Sequence, residues 1–201
     1  NAERLASAEQ EFIELFGKDA VTTAELDVTN QEQIEEALKK AALAFGGVDI
    51  IVNNAGLSIS KTIEDHTQKD WDLLYNVLVK GQFLVTQAAT SVLKAQSVGG
   101  DVVNIVSKNA LVRGPKNAGY GSAKAAQLHL SRLNAAELGA AGVRVNVVNP
   151  DAVISDSNIW AGGWAEGRAK DYGITVAELL AYYAKRTLLN QIILSDDIAN
   201  A

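Results

Sequence analysis

Residues 101–124 read DVVNIVSKNALVRGPKNAGYGSAK, and three changes of pattern inside this stretch decide the fold. DVVNIV over Asp101–Val106 is a short apolar run of the kind that forms a strand covered on both faces. It stops at Ser107, and the residues up to Gly119 hold the Gly, Pro and Asn of a surface loop. From Tyr120 to Leu138 the apolar spacing turns helical. A buried strand, a loop at its carboxyl end and a helix running back form half of a parallel crossover unit.

The same grammar continues in both directions. Downstream, Gly142 precedes the strand Val143–Val148, which Asn149-Pro150 stops. Upstream, Val48–Val52 (VDIIV) is another doubly covered strand, closed by Asn53-Asn54-Ala55-Gly56, and one long helical pattern fills Asp70 to about Gln96. Val21–Asp27 reads as a further strand. Thr29 resembles the N-cap of a helix carrying Ile34, Leu38, Ala41 and Phe45, and Ala2–Phe16 forms an amphipathic helix that Gly17 ends. Strands alternating with helices predict a single α/β domain over 1–201, a doubly wound Rossmann-type parallel sheet with its ligand crevice beyond the carboxyl ends of the strands. Past Pro150 the pattern loosens, and 151–191, with Trp160, Trp164 and AELLAYYAKR, reads as a substrate lid.

Composition narrows the chemistry. The chain has 201 residues, no cysteine, two histidines and a formal net charge of −6. Thiolate nucleophiles, disulfides and Cys-ligated zinc are excluded, and a His-rich metal site is not expected. Phosphate-backbone binding needs clustered Lys and Arg, so nucleic acid is not an expected partner. Without an apolar run of about 18 residues or a signal peptide, a cytoplasmic protein independent of membranes is expected. Neither histidine is expected to be catalytic: His66 reads as decoration of a polar loop, and His129 faces away from Tyr120.

The candidate chemistry gathers at strand ends. Tyr120 and Lys124 are four apart and share one helix face, with Ser107 at the end of the preceding strand. A phenol has a pKa near 10, and a neighbouring ammonium favours its ionised form. Asn53–Gly56 suits either a tight turn or the close approach of a ligand to backbone. Asp27 suits either a helix cap or a ligand contact. Ser155, in a polar loop, is open in the same way.

Taken together, Asp27-Val28, the NNAG turn, Ser107 and Tyr120-x-x-x-Lys124 resemble, in order and over nearly the whole chain, the short-chain dehydrogenase/reductase family. The resemblance implies NAD or NADP as cofactor, Ser107, Tyr120 and Lys124 as catalytic residues, and cofactor contacts from Asp27, Val28, Asn53, Ala55, Gly56, Tyr120, Lys124, Pro150, Val153 and Ser155. Within the family, residues 102–130 and 149–164 look closest to the dehydrogenase part of bifunctional rhamnulose-1-phosphate aldolase/alcohol dehydrogenase proteins. That implies a small alcohol or hydroxyaldehyde such as lactaldehyde as substrate, a fused aldolase domain, and a homodimer or homotetramer built on the Asp70 and Tyr120 helices.

Three departures accompany the likeness. The family's glycine-rich phosphate loop is missing, so the first βαβ unit is expected to precede Asn1, and the closing strand to follow Ala201. The family's catalytic Asn position holds Leu78, with Asn76 two residues earlier; a local helix bulge could restore its place. Asp151 stands where the family has Gly, which puts a carboxylate near the nicotinamide end. Leu78 and the missing loop also keep open a catalytically silent nucleotide-binding sensor or scaffold.

Overall fold

A computed structural model describes residues 2–153 and 163–201. Its centre is a parallel sheet of three strands, β1 (Ile50–Asn53), β2 (Gly100–Ile105) and β3 (Val143–Val148), in that spatial order. The register sets Asn53 beside Asn104 and Val102 beside Val145. Parallel neighbours need long crossovers. One is the helical run α3 (Gln68–Leu74) and α4 (Gly81–Gln96), and the other is α5 (Ala118–Leu138). The core between sheet and helices is Val48, Ile51, Ala89, Leu93, Val102, Leu138 and Val143, with Leu38 and Ala41 packed on it from α2 (Gln31–Phe45).

The run from Gln68 to Gln96 is helical throughout, as its periodicity predicts, but Tyr75–Lys80 is wound as a π-helix. There the Gly81 amide donates to the Asn76 carbonyl, five residues back. Such bulges free carbonyls from the α-ladder and gather at functional sites.

Val21–Asp27 departs from expectation, for it forms no strand. A strand exists through hydrogen bonds to a neighbour, and the sheet's described strands end at β1, whose outward Ile50 and Val52 are 60% and 58% exposed. Lys40 donates to the Thr23 carbonyl at 2.5 Å in place of a ladder. α1 (Ala2–Phe16) forms where predicted, yet buries none of its residues. Asn30, rather than Thr29, caps α2, accepting from the Gln33 amide at 3.2 Å.

Residues beyond β3 build a small second core. α6 (Trp164–Tyr172) and α7 (Leu179–Ala184) pack Ala169, Leu179 and Tyr183 together, with Tyr172 stacked on Tyr182 at 4.4 Å. α8 (Ser195–Ala199) follows, and the bridge between Val153 and Ile193 ties the exit of β3 to this region. Trp160 and Ser155 lie outside the described residues. Among the described residues no helix is long and apolar enough to cross a membrane.

The entry to β1 is held by one side chain. Gln96 accepts from the Val48 amide at 2.7 Å and donates to its carbonyl at 2.8 Å, completing what a strand partner would supply. Gln96→Leu leaves both groups unpaired beside the core and is expected to lower unfolding stability by about 2 kcal/mol, read from the urea midpoint.

Candidate active site

The sheet's carboxyl edge converges on the face of α5 that carries Tyr120 and Lys124. Ser107 follows β2 directly and is 8% exposed. Its hydroxyl oxygen accepts from the Asn109 amide at 3.1 Å, which fixes the side chain at the head of the loop. Lys124 is 5% exposed, and its ammonium donates to the Ile105 carbonyl at 3.0 Å. It lies 5.7 Å from the centroid of the Tyr120 ring. Helix spacing brings this pair together, and the strand end brings Ser107 to it.

Burial acts oppositely on the two titratable groups, because it penalises whichever form is charged. Desolvation raises the Tyr120 phenol above its usual range, and the Ser107 side chain partly offsets this. Desolvation lowers Lys124 from 10.5 to about 8. At neutral pH the lysine is still about ten-to-one protonated. The resting pair is therefore a neutral phenol beside a cation that favours its ionisation.

The turn after β1 presents backbone to solvent: Asn54, Ala55 and Gly56 are all exposed. Asn53 turns inward, donating to Asn104 Oδ1 at 2.8 Å and Thr86 Oγ1 at 3.2 Å, so its side chain serves the sheet. A Cβ on Gly56 would come within 3.2 Å of Leu78, which lies beneath the turn. Leu78 is fully buried and packs with Leu74, Ala123 and Tyr120. The helix bulge is present, but it leaves Asn76 exposed and does not carry it to the site. The family's Asn position is filled here by an apolar support for Tyr120.

Gln127, one turn beyond Lys124, was not singled out by the sequence. Its amide donates to the Leu78 carbonyl at 2.7 Å, holding the π-helix against α5. Gln82 donates to the Gln127 carbonyl at 3.3 Å and to Ser131 at 3.1 Å, and Asn104 donates to Ser131 at 2.9 Å. Between these groups and Val28, Asn53 and Ala55 is a void of about 10 Å³, bordered by Gln82 and Gln127, whose Oε1 atoms find no protein partner. That is room for one water with acceptors to bind. Polar residues at helical spacing on a core-facing side were the available signal.

Other predicted residues take different places. Asp27 accepts from the amide and hydroxyl of Thr29 at 2.8 Å, and these bonds lower its pKa, so its carboxylate closes the turn into α2. Asp151 is paired with Lys108 at 2.5 Å and with Arg186 at 3.6 Å, so its charge is compensated. The Pro150 carbonyl accepts from the Lys108 amide at 2.9 Å, and Val153 enters its bridge through the backbone. His66 does not decorate a loop: both ring nitrogens are buried, and a Cβ on Gly119 would stand 2.3 Å from its Nε2. Only glycine lets the entry to the Tyr120 helix close on this ring. His129 is exposed on the far side of α5.

Comparison with known proteins is consistent with this geometry. The family model described as short chain dehydrogenase matches residues 1–161. The chain belongs to the short chain dehydrogenase family. It is 44% identical over 191 residues to the uncharacterised oxidoreductase YuxG of Bacillus subtilis (strain 168), covering 95% of this chain. The chain spans only 28% of that relative's length. The crystal structure of sorbitol-6-phosphate 2-dehydrogenase SrlD from Erwinia amylovora superposes with a TM-score of 0.92 at 22% identity, over all of this chain and 77% of SrlD. ElxO with NADP bound superposes with a TM-score of 0.80 at 24% identity, over 96% of this chain and 75% of ElxO. At these identities the structural likenesses speak for the fold.

The depressed Lys124 pKa fixes the sign of a stability effect. The unfolded lysine holds its proton up to about 10.5 and the folded one only to about 8, so stability contributed through this group rises with pH across that window. Lys124→Met removes the penalty. The variant is expected to be more stable than the native chain at pH 7 by about 1–3 kcal/mol, with the difference shrinking above pH 9, in parallel denaturant titrations.

Proposed function

We propose that this chain carries the redox chemistry of an NAD(P)-dependent oxidoreductase that interconverts a small alcohol or hydroxyaldehyde and its oxidised product. The observation that carries this reading is the Ser107, Tyr120 and Lys124 cluster at the carboxyl edge of a parallel sheet, with the phenol and the buried ammonium 5.7 Å apart ring to charge. The exposed backbone of Asn54, Ala55 and Gly56 beside it suits the flat approach of a nicotinamide ribose. ElxO, which has this fold, is a protein with NADP bound. Lys124, Asn53, Ala55 and Gly56 would hold the nicotinamide half, with Val28, Asp27, Pro150, Val153 and Ser155 as its further surroundings.

A nicotinamide held by these residues would supply or accept the hydride at the substrate carbon. Every proton step belongs to the chain. Ser107 donates a hydrogen bond to the substrate oxygen and orients it. In reduction, Tyr120 gives its phenolic proton to that oxygen, and Lys124 stabilises the phenolate left behind. In oxidation, the phenolate takes the hydroxyl proton as the carbon is oxidised. Lys124 is more than a spectator here, because burial disfavours the phenolate left after proton transfer and a neighbouring positive charge offsets that penalty. The 151–191 segment would serve as a substrate lid, and its described part carries the tyrosine cluster of α6 and α7.

The wider reading is a cytoplasmic homodimer or homotetramer associating through α3, α4 and α5. A fused aldolase domain accompanies it in the full-length protein, in line with the much greater length of the Bacillus relative. Lactaldehyde is the first substrate to test.

The decisive measurement compares the native full-length protein with Tyr120→Phe for turnover of NAD(H) and NADP(H) with lactaldehyde and a panel of small alcohols. Native turnover falling at least 10³-fold in the variant, with nucleotide affinity retained, is the expected result. Tight nucleotide binding without turnover of any substrate would overturn the enzyme reading in favour of a redox sensor or scaffold.

A further inference from the structure

Alongside the Tyr120 helix is a cavity of about 600 Å³, walled by the loop after β1, the loop leading into α5, and α5 itself. That volume suits a small-molecule ligand. It adjoins the reacting groups through two of its lining residues. Asn109 is the residue whose amide holds the Ser107 hydroxyl, and Gly121 follows Tyr120.

The charge of this lining is unlike that of the chain. Among the described residues Lys61, Arg113 and Lys116 line it and no carboxylate does, although the chain carries a net charge of −6. Asp70 pairs with Lys61 at 2.7 Å and Asp171 pairs with Lys116, both from behind the lining. Asp65 likewise stands behind the lining, accepting from Thr62 at 2.7 Å, whereas Arg113 makes no ion pair among the described residues and is the cation left to answer a ligand. The two paired lysines are held in place before any ligand arrives, which reduces the ordering cost of binding. The first turn of α5, 21 residues long, opens on the same space. Its N-cap, Asn117, lines the cavity and makes no side-chain cap, so the helix's positive end adds to the field.

We propose that this cavity is an anion subsite, which receives the phosphate or carboxylate at the far end of a small aldehyde or alcohol whose oxygen is engaged by Tyr120. The inference rests on the dehydrogenase reading and gives it a substrate class. Arg113 makes the direct contact, since a guanidinium presents paired donors to an oxyanion. Lys61 and Lys116 contribute charge from either side. A neutral substrate of the same length leaves this charge unanswered and is the poorer one.

The test uses the full-length protein with its preferred nucleotide and three aldehydes: glyceraldehyde 3-phosphate, succinic semialdehyde and neutral glyceraldehyde. At least one anionic aldehyde is expected to exceed glyceraldehyde in kcat/KM by tenfold or more, and Arg113→Gln to reduce that ratio by about tenfold. Preference for the phosphate ester assigns a phosphate site, and preference for the semialdehyde a carboxylate site. Glyceraldehyde used as well as both anions, or a ratio indifferent to Arg113→Gln, overturns the proposal. Calorimetric titration of glycerol 3-phosphate and of succinate into the nucleotide complex separates the two readings. If no aldehyde or alcohol turns over but an anion binds and Arg113→Gln abolishes that binding, the dehydrogenase reading fails and the anion site stands. If neither anion binds and no anionic aldehyde is preferred, the anion site fails alone.

Discussion

Asn104 sits fully buried in the middle strand and ties together three elements that would otherwise meet only through apolar contact. It accepts from Asn53 at the end of β1 and donates to Ser131 on α5. Ser131 in turn donates to the Gln127 carbonyl at 2.8 Å, and Gln127 holds the Leu78 carbonyl in the π-helix. Apolar packing tolerates small slides, whereas a chain of buried hydrogen bonds has one low-energy arrangement, because every broken link leaves a desolvated polar atom. The register of α5 on the sheet, and hence the height of Tyr120 and Lys124 above the strand ends, follows from that arrangement.

The same burial that fixes the site makes it costly. Lys124 is held under Tyr120 in surroundings that lower its pKa to about 8, and the phenol beside it is pushed the other way. A chain selected for stability alone would place an apolar side chain here. The retained ammonium has its one recorded hydrogen bond to Ile105 in compensation, while its charge remains available to the phenol. Raising the phenol and lowering the amine moves their proton affinities apart, so the resting pair keeps the phenol neutral and the amine as the group that titrates first.

Strand ends were legible in the sequence because they are marked twice, once by the close of an apolar run and once by the Gly, Asn or Pro that follows. Ser107, the NNAG turn and Asn149-Pro150 all stand where those marks put them. Val21–Asp27 carries strand-like residues without becoming a strand, since propensity describes a segment and a ladder needs two. Gln127 and His66 were illegible for a different reason. Each owes its role to an atom distant in sequence, the Leu78 carbonyl for one and the close approach of Gly119 for the other, and local spacing at most marks Gln127 as a polar residue on a core-facing side without naming its partner. Asp27 and Asp151 stand where the sequence placed them, and their carboxylates are engaged by Thr29 in one case and by Lys108 and Arg186 in the other.

Leu78 shows how a site can change one residue without losing its form. A polar side chain beneath the Gly56 turn would need its own hydrogen bonds in a pocket shared with Leu74 and Ala123, and the leucine needs none. The backbone carbonyl at that position lies within the π-helical turn, and Gln127 engages it from the next helix. The polar link between the two helices thus runs from a side chain of α5 to the backbone of the other, and the side chain of residue 78 is left to support the Tyr120 ring. Ring support through the side chain and helix linkage through the backbone thus meet at one residue. The small void lined by Gln82 and Gln127 is the remaining polar space beside this link, with capacity for a single water next to Asn53 and Ala55.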